Sequence, residues 1–429
     1  MKDWKEPKEI VLIKPRSILS MSKYPPLSLA TLASTLKGNV RIIDTQIDKI
    51  PNLNNVDLVG ISMMTSEIPS AIEIIKNIKG PRVVIGGIHA TLFPEQVAKI
   101  VDNVVVGEGE YFTEHLDEKI IKMPLRDLES LPVPDWDKVN LKRYKKDIPY
   151  ESSRGCPNRC KFCVNSIIIK PYRAKSAEKV LRDLKILKEK YDIEHIHFVD
   201  DNFFVDLKRA LKIAKGMKKL KLKWFGECRA DYIAKWGMKI INFLEDCGCD
   251  SLTVGIESGS QRILDMVNKQ ITLKDALQCA KKIGMTNIVP AFSFIIGFPN
   301  ETENDRKLTL KMIKYVKHLC PQCIIGLGVF WFYPKMSIIE LDYPKNIEDW
   351  TDYIIKKFTI RANKKLGPMS FHYTLGYSMN SEIFFKSLKK PKKFILALFV
   401  LASRIRIKLS FWGLPIEYKI FNFLKGKAV

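Results

Sequence analysis

No internal repeat and no low-complexity tract interrupts the 429-residue chain. Its opening residues, Met1 to Glu9, are charged and contain no apolar signal core, so export is not expected. The tail's apolar run, Phe394–Ala402, has nine residues, far short of the roughly twenty that a helix needs to span a bilayer. Nine cysteines are spread along the chain without the pattern of a secreted disulfide framework. A reduced cytoplasm is the expected compartment. Acidic residues are scarce, 47 against 71 lysines and arginines, which leaves a net charge of +24. Such a charge favours nucleic acid, anionic lipid or acidic substrates, although a lysine-rich proteome would give the same figure.

What is present starts with residues 154–163, Arg-Gly-Cys-Pro-Asn-Arg-Cys-Lys-Phe-Cys. Cys156, Cys160 and Cys163 form a CxxxCxxC spacing. Structural zinc sites want four ligands, usually as two separated pairs. Three thiols in one loop suit an iron–sulfur cluster with one iron left open.

In this stretch the sequence resembles the radical SAM superfamily, and Phe162 matches the aromatic residue usual before the third cysteine. The resemblance implies a 4Fe–4S cluster held by Cys156, Cys160 and Cys163. Its open iron binds S-adenosylmethionine (SAM), whose reductive cleavage gives a 5′-deoxyadenosyl radical. A low-potential cluster of this kind also implies an electron-donor protein such as a ferredoxin or flavodoxin.

Residues 1–125 alternate short apolar runs with helical stretches, the runs being Ile10–Ile13, Val40–Ile43, Asp57–Ser62, Val83–Gly87 and Asn103–Val106. That pattern predicts a parallel, doubly wound sheet, whose ligands lie at the carboxyl ends of the strands. Ser62, Gly86 and Gly87 mark that edge, and glycine there lets a ligand approach the backbone. The pieces Tyr24–Ala30, Gly60–Thr65, Gly86–Thr91 and Gly107–Glu110 resemble the cobalamin-binding domain that precedes the barrel in a subgroup of radical SAM proteins. The resemblance implies cobalamin contacts at Ser62, Gly86, Gly87, His89, Gly107 and Glu108. No Asp-x-His-x-x-Gly motif occurs, so cobalamin is expected without a protein histidine on cobalt.

Residues 126–147 read as a linker, with Pro132 and Pro134 favouring extended chain. Residues 148–335 alternate strand and helix six times, which predicts a partial (β/α)6 barrel of TIM type with its chemistry at the strand ends. The expected strands are 148–152, 195–199, 221–227, 251–256, 288–296 and 324–332. Helices are expected at 176–191, 206–219, 236–246, 260–284 and 303–318, with Ser176 as N-cap. By resemblance, the strand ends carry the SAM contacts. Asp200 and Asp201 would take its amine and Arg229 its carboxylate. Glu257 and Ser258 would meet its ribose or carboxylate, and Gly297 and Pro299 its adenine. Cys247, Cys249, Cys320 and Cys323 read as buried free thiols.

The fold class is therefore α/β: a Rossmann-like cobalamin domain (1–125), a linker (126–147), a radical SAM barrel (148–335) and a basic, mostly helical tail (336–429). From Ile383 onward there are eleven lysines and arginines against one acidic residue, Glu417. The tail also holds Phe411, Trp412, Tyr418, Phe421 and Phe423. A basic amphipathic segment of this kind suits an anionic membrane surface, with the protein peripheral on the membrane's inner face. No nucleic-acid recognition module accompanies the charge. The expected activity is C-methylation of a lipid, isoprenoid or similar hydrophobic substrate. A radical cyclase, coupling or oxidation reaction without methyl transfer is the alternative. A methylthiotransferase acting on tRNA and a cobalamin sensor rank below both, the first because no N-terminal cysteine trio is present.

Overall fold

In this computed structural model the described residues are 6–18, 24–144, 147–168, 171–354, 366–378, 390–409 and 416–420. The chain forms two compact units that do not follow chain order. The first holds residues 1–157, 163–201 and 333–356, and the second holds 158–162, 202–332 and 357–429.

The first unit contains six parallel strands in the order β2-β1-β3-β4-β5-β6. These are β1 Glu9–Lys14, β2 Asn39–Asp44, β3 Leu58–Ser62, β4 Arg82–Gly86, β5 Asn103–Val106 and β6 Ile120–Lys122. Val, Ile and Leu fill the central strands because both faces of a parallel sheet are covered. Ile10, Leu12, Leu58, Val84 and Val105 are buried in one core with Leu29 and Phe112. Strand β6 was not legible in sequence, since three residues with one buried side chain carry no pattern. The linker is not simply extended. Asp127 and Asp135 each accept a backbone N–H two residues on, from Glu129 and Asp137, and nucleate short 3-10 turns.

The same unit pairs β7 (Asp147–Tyr150) in parallel with β10 (His195–Phe198). Between them lies an antiparallel two-residue ribbon, β8 (Ser153–Arg154) with β9 (Arg173–Ala174). Helix Ala177–Tyr191 follows, and its N-cap Ser176 accepts the Lys179 N–H as expected.

The second unit contains the parallel strands β11 (Lys223–Arg229), β12 (Cys249–Glu257), β13 (Val289–Ile296) and β14 (Ile324–Val329), each paired with the next. Helices Leu207–Lys219, Met238–Asp246 and Glu303–Leu319 fall where the periodicity places them. The single helix expected over 260–284 is instead two, Gln261–Met266 and Leu273–Ile283. Asn268 and Gln270 take left-handed backbone angles, which ends the first helix. A Thr272–Asp275 capping box starts the second. Cys228, Cys247, Cys249, Cys279, Cys320 and Cys323 are buried free thiols.

In the tail, helices Leu366–Ser378 and Lys390–Leu409 are described. His372 and Ser403, both fully buried, join them through Nδ1 and Oγ at 2.9 Å. Phe411, Trp412, Phe421 and Phe423 lie outside the described residues. Among the described residues, no helix is long and apolar enough to cross a membrane.

Glu67, buried just beyond β3, accepts the Met64 N–H at 2.8 Å. Burial raises its carboxyl from 4.5 to about 7, against the pull of that N–H. A folded pKa above the unfolded one gives stability that is lost as pH rises from about 4.5 to 7. The loss amounts to roughly 3 kcal/mol. Glu67→Gln should flatten this dependence, giving a higher urea midpoint than the native chain at pH 8 and little difference at pH 5.

Candidate active site

Three strand ends of the first sheet close on one cavity of about 330 Å³. Ser62 ends β3, Gly86 ends β4 and Gly87 follows it, Gly107 to Glu110 follow β5, and all of them line it. The glycines are dictated by space. Gly87 has φ 96°, and a Cβ there would stand 2.8 Å from Met63 N and 2.9 Å from Met63 O. Gly107 has φ 88°, an angle that residues with side chains rarely adopt, and a Cβ there would stand 3.8 Å from Met123 O. Thr91 ties the two turns, donating to Gly87 O at 2.9 Å and accepting the Gly107 N–H at 3.0 Å. The remaining lining is largely aliphatic, including Leu12, Leu27 and Leu32, with Glu151 and Arg154 as its charged wall beside Glu108 and Glu110.

His89 does not line this cavity. It is fully buried, with Nδ1 3.2 Å from Thr65 Oγ1 and its ring edge-on to Trp350. Burial, with Lys335 nearby, depresses its pKa to about 3. His89 thus packs as a buried neutral ring against Phe93 and Trp350. No histidine lines the cavity among the described residues.

The segment entering the cysteine loop is gripped by the acidic pair at the end of β10. Asp200, 1% exposed, accepts the Ser152 N–H at 2.7 Å, Ser152 Oγ at 2.5 Å and Ser153 Oγ at 2.6 Å. Asp201 accepts the Gly155 N–H at 3.0 Å and a bond from Asn165 Nδ2. Burial raises the Asp201 carboxyl to about 6. Both Asp200 oxygens thus accept bonds from the chain leading into Cys156.

In the second unit, the strand ends gather a buried charged group. Glu257, at φ 72° beyond an irregular step in β12, meets Lys269 Nζ at 2.8 Å. Lys269 Nζ also stands 5.7 Å from the Phe162 ring centre, and Phe162 packs edge-to-face on Phe298. Arg229 donates to Asp231 Oδ1 at 2.9 Å and to Lys269 O at 2.7 Å. Its guanidinium thereby braces the Lys269 segment. Ser258 Oγ accepts the Ser260 N–H and bonds Thr309. Gly297, at φ 82°, donates its N–H to Glu301 Oε2 at 2.7 Å, which shapes the turn that carries Pro299. Lys269 was missed in the sequence. A lysine inside an expected helix gives no signal until the helix breaks there.

Among the described residues, no three histidine, cysteine, aspartate or glutamate side chains converge on one point as a single metal ion requires. A cubane asks instead for one thiolate on each of three irons. Three thiols within the irregular loop 156–163 meet that donor requirement. The glycine-walled cavity, where added Cβ atoms would strain the turns, likewise fits a flat macrocycle brought against the strand ends.

Comparison with known proteins agrees with these fits. Residues 150–313 match the radical SAM superfamily, and residues 19–117 match the B12 binding domain. An uncharacterized methyltransferase of Pyrococcus horikoshii is 34% identical over 341 residues, spanning 68% of this chain and 73% of the relative. The bacteriochlorophyllide d C-12(1)-methyltransferase of Chlorobaculum tepidum is 26% identical, spanning 72% and 74%. Among solved structures, the cobalamin-dependent S-adenosylmethionine radical enzyme OxsB shares the fold, with a TM-score of 0.71 at 17% identity over 98% of this chain and 76% of that one.

Lys269→Met leaves the buried Glu257 carboxylate unpaired, and the unfolding free energy should fall by about 3–5 kcal/mol. Adding Glu257→Gln should recover a good part of that loss, as read from urea denaturation of the single and double variants.

Proposed function

Because the chain belongs to the cobalamin-dependent radical SAM enzymes, with a 4Fe–4S cluster, SAM and cobalamin as its cofactors, we propose that it C-methylates an unactivated carbon of a lipid, isoprenoid or similarly hydrophobic substrate. One observation carries the placement of the chemistry. The cavity bounded by Gly87 and Gly107 is bounded also by Glu151 and Arg154, and Arg154 stands two residues before Cys156. The cofactors supply a carbon-centred radical and a methyl group when bound.

The chain's own residues position and exclude. Cys156, Cys160 and Cys163 would hold the cluster. Ser62, Gly86, Gly87, Gly107 and Glu108 would face the corrinoid, with no protein histidine on its cobalt. Glu257, Lys269 and Phe162 would meet SAM beside the Gly297–Pro299 turn. The aliphatic cavity wall keeps water from the corrinoid side, as radical chemistry needs. Residues 1–125 and 148–335 would be the cobalamin and radical SAM domains, joined by 126–147, and the tail would begin at 336. A ferredoxin or flavodoxin would deliver the electron.

The tail supports the hydrophobic substrate. On helix Lys390–Leu409, the exposed apolar residues Leu398, Leu401, Ile405 and Leu409 recur at helical spacing. Such spacing places them on one face. Arg404 and Lys408 are exposed beside them, and Ile416, Lys419 and Ile420 are exposed on the next short helix. Leucine buried from water contributes about 1.5–3 kcal/mol, and each lysine or arginine near an anionic surface about 1 kcal/mol. An anionic bilayer surface matches both terms and would put a lipid within reach.

Anaerobic protein reconstituted with iron, sulfide and hydroxocobalamin should release 5′-deoxyadenosine on reduction. It should also pass labelled methyl from SAM to an organic-soluble product of a lipid extract. 5′-Deoxyadenosine with an unlabelled, cyclised or oxidised product would favour the alternative chemistry over methyl transfer. In vesicle flotation, the native chain should rise with phosphatidylglycerol vesicles. Leu401→Gln with Ile405→Gln should cut the bound fraction about tenfold, and equal binding by both proteins would remove the lipid reading.

A further inference from the structure

The β8–β9 ribbon sets Arg154 directly opposite Arg173. Like charges opposite one another on paired strands repel, and both side chains are mostly buried. A ribbon of two residues a side does not stand alone. Its stabilising charge comes largely from the turn after β5. Glu108 bonds both guanidiniums, with Oε2 2.8 Å from Arg154 Nη1 and Oε1 on Arg173. Glu110 Oε1 is 2.6 Å from Arg154 Nη2, and Glu151 Oε2 is 2.6 Å from Arg154 Nε. Every nitrogen of the Arg154 guanidinium therefore meets a carboxylate. Burial works to raise the Glu110 carboxyl, and Arg154, together with a backbone N–H and Arg173, holds it below its usual range. The turn that supplies two of these carboxylates also lines the cavity.

We infer that Arg154 is a positioning residue that makes corrinoid binding and cluster binding cooperative. A corrinoid against Gly107 and Glu108 orders the turn, and the turn fixes the two arginines. The ribbon so fixed presents Gly155 and Cys156 at the start of the cluster loop. In the other direction, a cluster that immobilises Cys156 fixes Arg154 and draws the turn into its corrinoid-binding form. Linkage requires the two effects to be equal in size. The inference rests on the cavity being the corrinoid site, as proposed above.

The test is a thermodynamic cycle on the full chain. Hydroxocobalamin is titrated anaerobically, by visible absorption, into protein with and without a reconstituted cluster, with iron content measured alongside. In the native chain the cluster should tighten corrinoid binding by about fivefold or more. In Arg154→Lys each ligand should bind more weakly and that ratio should fall to near one, because an ammonium cannot serve three carboxylates in a planar fork. Glu110→Gln, a milder change, should lower the ratio part of the way, and it carries the test if Arg154→Lys does not fold. A purely structural arginine would weaken both ligands and leave the ratio intact. A ratio of one in the native chain, or the same ratio in native and variant proteins, overturns the coupling alone. Failure of hydroxocobalamin to bind in any form overturns the corrinoid reading and the coupling with it.

Discussion

The Asp200 carboxylate is the fixed point from which the cysteine loop is hung. It accepts three bonds from Ser152 and Ser153, all between 2.5 and 2.7 Å, in a site closed to water. Leaving such partners unmatched would cost on the order of 1–3 kcal/mol each, so the chain has little freedom before it reaches Arg154. The pairing of β7 with β10 makes the grip possible, because parallel strands end together and bring residues 152 and 200 to the same level. Asp201 extends the grip one step further, to Gly155 at φ 83°.

Charge is handled in opposite ways inside and outside. Over the whole chain the excess is +24, and most of it is solvated. Within each unit, buried cations are matched to carboxylates: Arg154 and Arg173 with Glu108 in the first, and Lys269 with Glu257 in the second. Buried ions are tolerated only when paired and bonded. These pairs specify geometry rather than add much net stability. Each fixes a strand end that in a parallel α/β fold faces ligand.

Several residues with the chemistry to touch a cofactor are bonded to partners within their own chain. Arg229 holds Lys269 and Gln270 by their carbonyls, Ser258 caps a turn, and His89 sits neutral among Phe93 and Trp350. The common cause is burial. A polar group taken from water must be satisfied at once, and nearby backbone is the nearest partner. The cavity wall is left to glycines, aliphatic side chains and the Arg154 network.

The sequence by itself determined the cysteine loop, the parallel α/β character of both parts and most strand positions. Each of these rests on local information: ligand spacing, apolar runs and the helical period between them. It also marked Ser62, Gly86 and Gly87 as one edge, since strand ends can be counted along the chain, while Gly107 and Glu108 were marked by resemblance to the cobalamin-binding domain. Only the tertiary structure decided which polar side chains were already spent. It also broke the helix at Asn268–Gln270 to deliver Lys269 to Glu257, and it set Arg154 between carboxylates more than forty residues away. Hydrogen-bond partners across such separations leave no trace in periodicity or spacing, because they arise only when separate strands end at the same level.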